Sequence, residues 1–184
     1  SSGLVSIRTR MTLRPSACVA TGAKMVFPGE GFEPRAALAA VEAEACTALH
    51  GVPTMFIAEL ENAEFDTFDL STLRTGVMAG SPCPIEVMKK VIDRMNMREV
   101  GIGYGMTETS PVSFQTAMDD PLERRVSTVG RVQPHLEVKV VDESGATVPL
   151  GQPGELCTRG YSVMIGYWDD PAKTAEAVDE EGWM

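Results

Sequence analysis

No stretch of this 184-residue chain holds the ~18–20 uninterrupted apolar residues that a membrane-crossing helix needs, so no transmembrane segment is expected. Clusters of basic residues are missing too. None is denser than Arg124-Arg125, and the net charge is −10, from 16 Lys and Arg against 26 Asp and Glu. A phosphate backbone is gripped by clustered Lys and Arg, so a nucleic-acid partner is disfavoured. An acidic protein can still hold a nucleotide through backbone amides and Mg2+. The four cysteines, Cys18, Cys46, Cys83 and Cys157, form no CxxC pair. That favours buried reduced thiols in a cytoplasmic protein over disulfides or a zinc site. Internal repeats and low-complexity tracts are also absent. What is present is ordinary for a soluble globular protein: 43% apolar and 23% charged residues, in a length that suits one domain or a large piece of a bigger one.

Ser1 to Pro15 mixes Arg8, Arg10 and Arg14 with hydroxyls and small residues, a composition loosely like a transit peptide. The chain begins without Met, and the simpler reading is a piece of a longer protein. Ala23 to Pro28 reads as a short strand ending in the turn Pro28-Gly29-Glu30-Gly31. Pro34 suits a first helical turn. Leu38, Val41, Ala45 and Leu49 then follow at three- and four-residue steps, which predicts an amphipathic helix from Pro34 to Leu49, interrupted by Gly51-Val52-Pro53. Thr54 to Leu60 continues as a further helix.

Ser71 can cap a short turn before Thr75–Ala79, a buried strand followed by the loop Gly80-Ser81-Pro82. Pro84 opens a helix with Ile85, Met88, Val91, Ile92 and Met95 on one face, and Val100–Tyr104 is the next strand. Strand, loop, helix and strand in this order predict a βαβ unit, and hence an α/β fold with a parallel sheet covered by helices. After Glu123 the texture changes. Leu136 to Val141 alternates with period two, Ser144-Gly145 turns, and Gly154 to Gly160 gives another strand, as in an antiparallel β subdomain. Asp170-Pro171 starts a short helix through Val178.

Two loops fall at the predicted C-terminal ends of strands, Ala79 to Pro82 and Gly103 to Thr109, the edge where open parallel sheets bind ligands. Gly80 and Gly103 lack a Cβ, so a flat ring can lie against their backbone. Tyr104 can stack on a base. Thr107 offers a hydroxyl to phosphate oxygens, and Glu108 a hard oxygen of the kind Mg2+ takes beside substrate phosphates. Each part also has a bland reading: Tyr104 as core, Thr107-Glu108 as a solvated helix start, His50 as a packed or capping residue rather than a general base. Gly101, Gly103 and Gly105 do not make a dinucleotide fingerprint, because Met106 stands at a glycine position and Pro111 interrupts the helix that should follow.

The segment Gly103-Tyr104-Gly105-Met106-Thr107-Glu108-Thr109 resembles the adenine- and metal-binding motif of the acyl-adenylate-forming (AMP-binding) superfamily, which includes acyl-CoA synthetases, aryl-CoA ligases, luciferases and peptide-synthetase adenylation domains. Gly51 to Phe56, Ala79 to Pro82, Ser127 to Arg131, and Gly154 to Gly160 through Gly166-Tyr167-Trp168 resemble further motifs of that family in the same order. Met78 to Pro84 with Thr107 to Val112 is most similar to medium- and long-chain fatty acyl-CoA synthetases. The resemblance runs from about Ala17 to Met184. It divides the chain into an unmatched segment 1–16, an α/β sheet region of the AMP-binding domain over 17–126, and a truncated β subdomain over 127–184.

Carried onto matching positions, the resemblance implies that Gly80, Ser81 and Pro82 line an adenine site and that Gly103, Tyr104, Gly105 and Met106 wrap AMP. It implies that Thr107 and Glu108 are the catalytic pair, Thr107 contacting phosphate and Glu108 ligating Mg2+. Met78, Ala79, Pro111 and Val112 border the acyl pocket. The implied reaction joins a carboxylate to the ATP α-phosphate, giving acyl-AMP and pyrophosphate; CoA thiol then displaces AMP. The partners are therefore ATP, CoA and a fatty acid or other small carboxylic acid.

Several family features are missing. The Ser/Thr/Gly-rich phosphate loop ending in Lys-Gly is absent, and the chain stops at Gly182-Trp183-Met184, before the Thr-Gly-Asp that holds the ribose. The mobile C-terminal domain with its catalytic Lys is absent as well, and Ile102 replaces a residue that is often polar. The expectation is a central fragment of a fatty acyl-CoA synthetase, inactive alone. The alternatives are a ligase for aryl or branched acids, or a non-catalytic nucleotide-binding or interaction module.

Overall fold

The computed structural model describes residues 3–6, as backbone, and residues 18–184. Arg8, Arg10 and Arg14 lie outside the described residues. The chain divides into two compact units, Ser1–Tyr104 with Phe114–Arg131, and Gly105–Ser113 with Val132–Met184.

The first unit is built on a sheet with strand order β2-β1-β3-β4-β5-β6-β7. Its strands are β1 (Gly3–Ser6), β2 (Lys24–Val26), β3 (Cys46–Gly51), β4 (Thr75–Ala79), β5 (Glu99–Tyr104), β6 (Phe114–Gln115) and β7 (Arg131–Val132). The first five pair in parallel, and β6 runs antiparallel to β5. The fold is therefore mixed α/β, with the βαβ unit where the pattern predicts it: β4, the helix α3 (Ile85–Arg94) and β5, with β4 and β5 adjacent. Met88, Val91 and Met95 of the predicted apolar stripe are fully buried.

The structure corrects one reading. The helix beginning at Pro34, α1, ends at Ala43, and Cys46 to Gly51 is strand β3. Ala45 takes a left-handed backbone, φ 47°, which breaks the helix. Leu49 continues the helical spacing by coincidence, since a strand buried on both faces reads as a plain apolar run. The start of α1 is as expected: Pro34 occupies its first turn, and the Glu33 carboxylate accepts from the amides of Arg35 (3.0 Å) and Ala36 (2.5 Å). The next helix, α2, spans Pro53–Leu60.

Three contacts hold the unit in register. Gly76 in β4 faces the β3 backbone so closely that a Cβ would overlap the Leu49 carbonyl oxygen. Asn96, left-handed at the end of α3 (φ 56°), donates to the carbonyls of Ser71 (3.1 Å) and Leu73 (2.8 Å). Arg125, buried on α4 (Leu122–Ser127), donates to the carbonyls of Arg98 (3.2 Å) and Val100 (2.9 Å), fastening that helix to β5. Among these apolar surroundings Glu59 of α2 is fully buried, and neither carboxyl oxygen has a hydrogen-bond partner among the described residues. Burial pushes its pKa from 4.5 up to about 8.

In the second unit, β8 (Leu136–Val141) and β9 (Glu155–Gly160) form an antiparallel pair, Leu136 opposite Gly160 and Val141 opposite Glu155. The Asp142 carboxylate closes the turn after β8 by accepting from Ser144 Oγ (2.6 Å) and the amides of Ser144 (2.9 Å) and Ala146 (3.1 Å). Trp183 lies against the cations of Lys139 and Arg159, 4.3 and 4.4 Å from its ring centroid. Helix α5 (Pro171–Ala177) starts on Asp170, whose side chain accepts from Lys173 N at 3.0 Å. No helix among the described residues is long and apolar enough to cross a membrane.

Candidate active site

In the first unit β3, β4 and β5 run in parallel and end at the same edge, with Gly51 beside Met78 and Ala79 beside Gly103. The loop starting at Gly80 and the segment starting at Gly103 therefore leave adjacent strands. Gly80 has φ +93°, a conformation that disfavours a Cβ, and Ser81 and Pro82 are exposed beside it. Gly103 is buried in the strand. Tyr104, the last residue of β5, is 45% exposed and meets the Phe114 ring edge-on at 6.1 Å, so it stands at the rim rather than in the core. Met78 is fully buried, with its sulfur 3.5 Å from Cys83 Sγ, and Ala79 is buried next to it. Ile102 is also buried. Its amide donates to Thr116 Oγ1 (2.8 Å). His50 sits on β3, not at a cap, and its Nδ1 accepts from the Val77 amide at 3.0 Å.

Gly105 to Ser113 belongs to the second unit. Gly105 needs to be glycine, because a Cβ there would overlap the Pro111 carbonyl oxygen and approach Ser113 N to 2.8 Å. Thr107–Thr109 forms one 3-10 turn. Buried Thr109 locks it: the hydroxyl donates to Met106 O (3.1 Å), accepts from Met106 N (3.3 Å), and receives a hydrogen bond from Ser113 Oγ (3.0 Å). Ser110 turns the chain with φ 58°, Pro111 is buried, and Val112 is half-buried. The turn leaves Met106 and Thr107 exposed and Glu108 half-buried.

Glu108 is held twice by the loop before α5. Its carbonyl accepts from Met164 N (2.8 Å), and its Oε1 accepts from the Tyr167 hydroxyl (3.0 Å). The Glu108 hydrogen bond pushes the Tyr167 phenol pKa up, with desolvation adding to it, so the phenol keeps its proton and is the donor. Oε2 of Glu108 has no hydrogen-bond partner among the described residues. No cluster of three or more His, Cys, Asp or Glu side chains is positioned to hold a metal among the described residues. The four thiols are free, three of them buried.

Tyr167 and Thr109 are the side chains that sequence reasoning left out of the site. Tyr167 lay within the Gly166-Tyr167-Trp168 motif, but its pairing with a carboxylate 59 positions away has no signal in spacing.

Residues 8–168 match the profile of a family described as AMP-binding enzyme. YngI of Bacillus subtilis, named provisionally as an acyl-CoA synthetase, is 56% identical over 169 residues, which cover 91% of this chain and 31% of that protein. A mitochondrial medium-chain acyl-CoA ligase of Danio rerio, ACSF2, is 48% identical over 163 residues, covering 88% of this chain and 27% of its own. Among solved structures, the amide bond synthetase McbA from Marinactinospora thermotolerans matches all of this chain and 37% of its own, with 32% identity and a TM-score of 0.82. The anthranilate CoA ligase AuaEII, solved with anthranoyl-AMP, matches 89% of this chain and 31% of its own, with 26% identity and a TM-score of 0.79. The chain thus spans less than a third of the length of the curated relatives it matches. Motif order, fold and family profile agree: the chain belongs to the AMP-binding enzyme family.

Proposed function

We propose that this chain is the central part of an ATP-dependent fatty acyl-CoA ligase, forming acyl-AMP and pyrophosphate from a carboxylate and ATP and then passing the acyl group to CoA. The observation that best supports this reading is the pairing of Ala79 with Gly103, which brings two glycine-led loops out of neighbouring parallel strands in a member of the AMP-binding family. In this reading Gly80, Ser81 and Pro82 line the adenine, Gly103 to Met106 follow the AMP moiety, and the Tyr104 ring covers the base. The exposed Thr107 hydroxyl donates to phosphate oxygens. Met78, Ala79, Pro111 and Val112 are assigned to the acyl pocket by the family resemblance alone.

The residues present fit Mg2+. Glu108 supplies one hard carboxylate with an oxygen that has no hydrogen-bond partner among the described residues, and Mg2+ characteristically takes one or two carboxylates with phosphates and water completing its shell. Bound there, Mg2+ supplies neutralising charge beside the phosphates. The chain's own contribution is to hold Glu108 and Thr107 on a rigid turn, so that little reorganisation accompanies the attack of the carboxylate.

Pyrophosphate release by the full-length enzyme tests the proposal, using a panel of medium-chain, long-chain and aromatic acids. Fatty acids should drive release in the presence of CoA and Mg2+, and Glu108→Gln should lower the rate at least about 100-fold. No release with any acid would turn the reading towards a nucleotide-binding module. Preference for an aromatic acid would turn it towards the class of AuaEII, a structural neighbour named for anthranilate. The cytoplasm is the compartment in this reading, and fractionation decides it against the mitochondrion named for ACSF2.

A further inference from the structure

Glu108 is the only carboxylate assigned to the metal, and nothing in its own turn orients its side chain. Its backbone and its side chain are each held from the loop 161–169. Met164 N fixes the Glu108 backbone carbonyl at 2.8 Å, and the Tyr167 hydroxyl takes Oε1 at 3.0 Å. Tyr167 is itself held from α5. The hold is its amide, which donates to Thr174 Oγ1 (2.9 Å); the Lys173 ammonium, 4.8 Å from the ring centroid, lies over the ring and takes no part in the hydroxyl's hydrogen bond. Gly166 sits so close to Thr174 that a Cβ would come within 2.9 Å of its side chain. A continuous set of contacts therefore runs from α5 through Tyr167 to one oxygen of Glu108.

Two effects of the phenol oppose each other. Donating to Oε1 withdraws charge from the carboxylate, which weakens its hold on a cation. It also removes rotamer freedom of a long side chain that would otherwise be lost on metal binding, and it leaves the other oxygen for the cation. Oε1 is occupied and Oε2 is without a hydrogen-bond partner among the described residues, so the metal has an oxygen to take without displacing the phenol.

We propose that Tyr167 is a positioning residue for the metal-binding carboxylate: its hydroxyl pins Glu108 Oε1 and presents Oε2 to the cation that accompanies ATP. This rests on the assignment of Glu108 as metal ligand made above, and it adds a residue on α5's leading loop to the functional set.

The test uses the full-length ligase with Mn2+ as the probe, its binding in the presence of ATP followed by electron paramagnetic resonance, alongside Mg2+ activation of pyrophosphate release. Tyr167→Phe should weaken Mn2+ binding about 10-fold. It should raise the Mg2+ concentration for half-activation by a similar factor, with kcat at saturating Mg2+ within about twofold. Lys173→Gln keeps the hydroxyl and should leave Mn2+ affinity within about twofold of the parent. Equal losses in Tyr167→Phe and Lys173→Gln would assign the effect to loop packing and overturn the proposal. Unchanged or tighter Mn2+ binding in Tyr167→Phe would overturn it as well, the tighter case marking the phenol as a competitor of the metal. Glu108→Gln separates the two levels. If it loses Mn2+ while Tyr167→Phe does not, the positioning role alone fails; if it retains Mn2+, the assignment of Glu108 fails and the positioning role with it.

Discussion

Replacing Glu59 with Leu should stabilise the chain, and more so as pH rises. The carboxyl is fully buried on α2, neither oxygen has a hydrogen-bond partner among the described residues, and burial alone raises its pKa from 4.5 to about 8. On the helices packed against α2, Arg35 pairs with Glu64, Lys89 with Glu86 and Arg94 with Asp66, all at the surface. Unfolded chain releases the Glu59 proton near pH 4.5, whereas folded chain holds it to about pH 8. Between those values the folded state binds the extra proton, so stability falls as pH rises through the window and levels off above it. At about 1.4 kcal/mol per pH unit the full decline is roughly 5 kcal/mol, of which about 3 kcal/mol has been lost at pH 7. The unpartnered carboxyl adds ~1–3 kcal/mol of desolvation that Leu avoids at any pH. Urea unfolding of the chain and of Glu59→Leu at pH 5, 7 and 8.5 measures both effects, and subtracting one from the other removes every other titrating group. Two pH–stability curves that run parallel within about 0.5 kcal/mol would refute the reasoning.

Two glycine substitutions test the sheet and the turn separately. Gly76→Ala places a Cβ on the Leu49 carbonyl and against the Met97 methyl, and should destabilise the chain by at least ~1–3 kcal/mol in urea unfolding, because the Met97 side chain can move aside but the Leu49 backbone of the paired strand cannot. An unchanged midpoint would show that β3 and β4 are not so closely apposed. Gly105→Ala should displace the Gly105–Ser113 segment, whose Pro111 carbonyl occupies the Cβ position. If the proposed function holds, ATP affinity of the full-length protein, measured calorimetrically with Mg2+, should fall about 10-fold, and an unaltered affinity would remove Gly105 from the proposed nucleotide site.

Much of the fold was legible because its signals are local. Thr75 to Ala79, the stripe Met88, Val91 and Met95, and the run ending at Tyr104 each carry their own period and their own bounding Gly or Pro, and β4, α3 and β5 follow directly. Cys46 to Gly51 was misread for the opposite reason. A strand buried on both faces has no alternation, and here its apolar residues extend the spacing of the helix before it. Only pairing with β1 and β4 makes it a strand. The turn Thr107–Thr109 was visible as a motif, but not the hydroxyl of Thr109 that locks it, since Ser113 and Met106 meet it through side-chain geometry that spacing does not encode.

The sequence by itself determined the family, the βαβ order and the residue types offered to a nucleotide, because these reside in short contiguous segments whose chemistry is set residue by residue. Tertiary structure made Cys46–Gly51 a strand, left the Glu59 carboxyl without a hydrogen-bond partner among the described residues, and gave Glu108 its hydrogen-bonded neighbour Tyr167. Those outcomes depend on contacts between residues far apart in the chain, and their energies exist only once the backbone has brought the groups within a few ångströms.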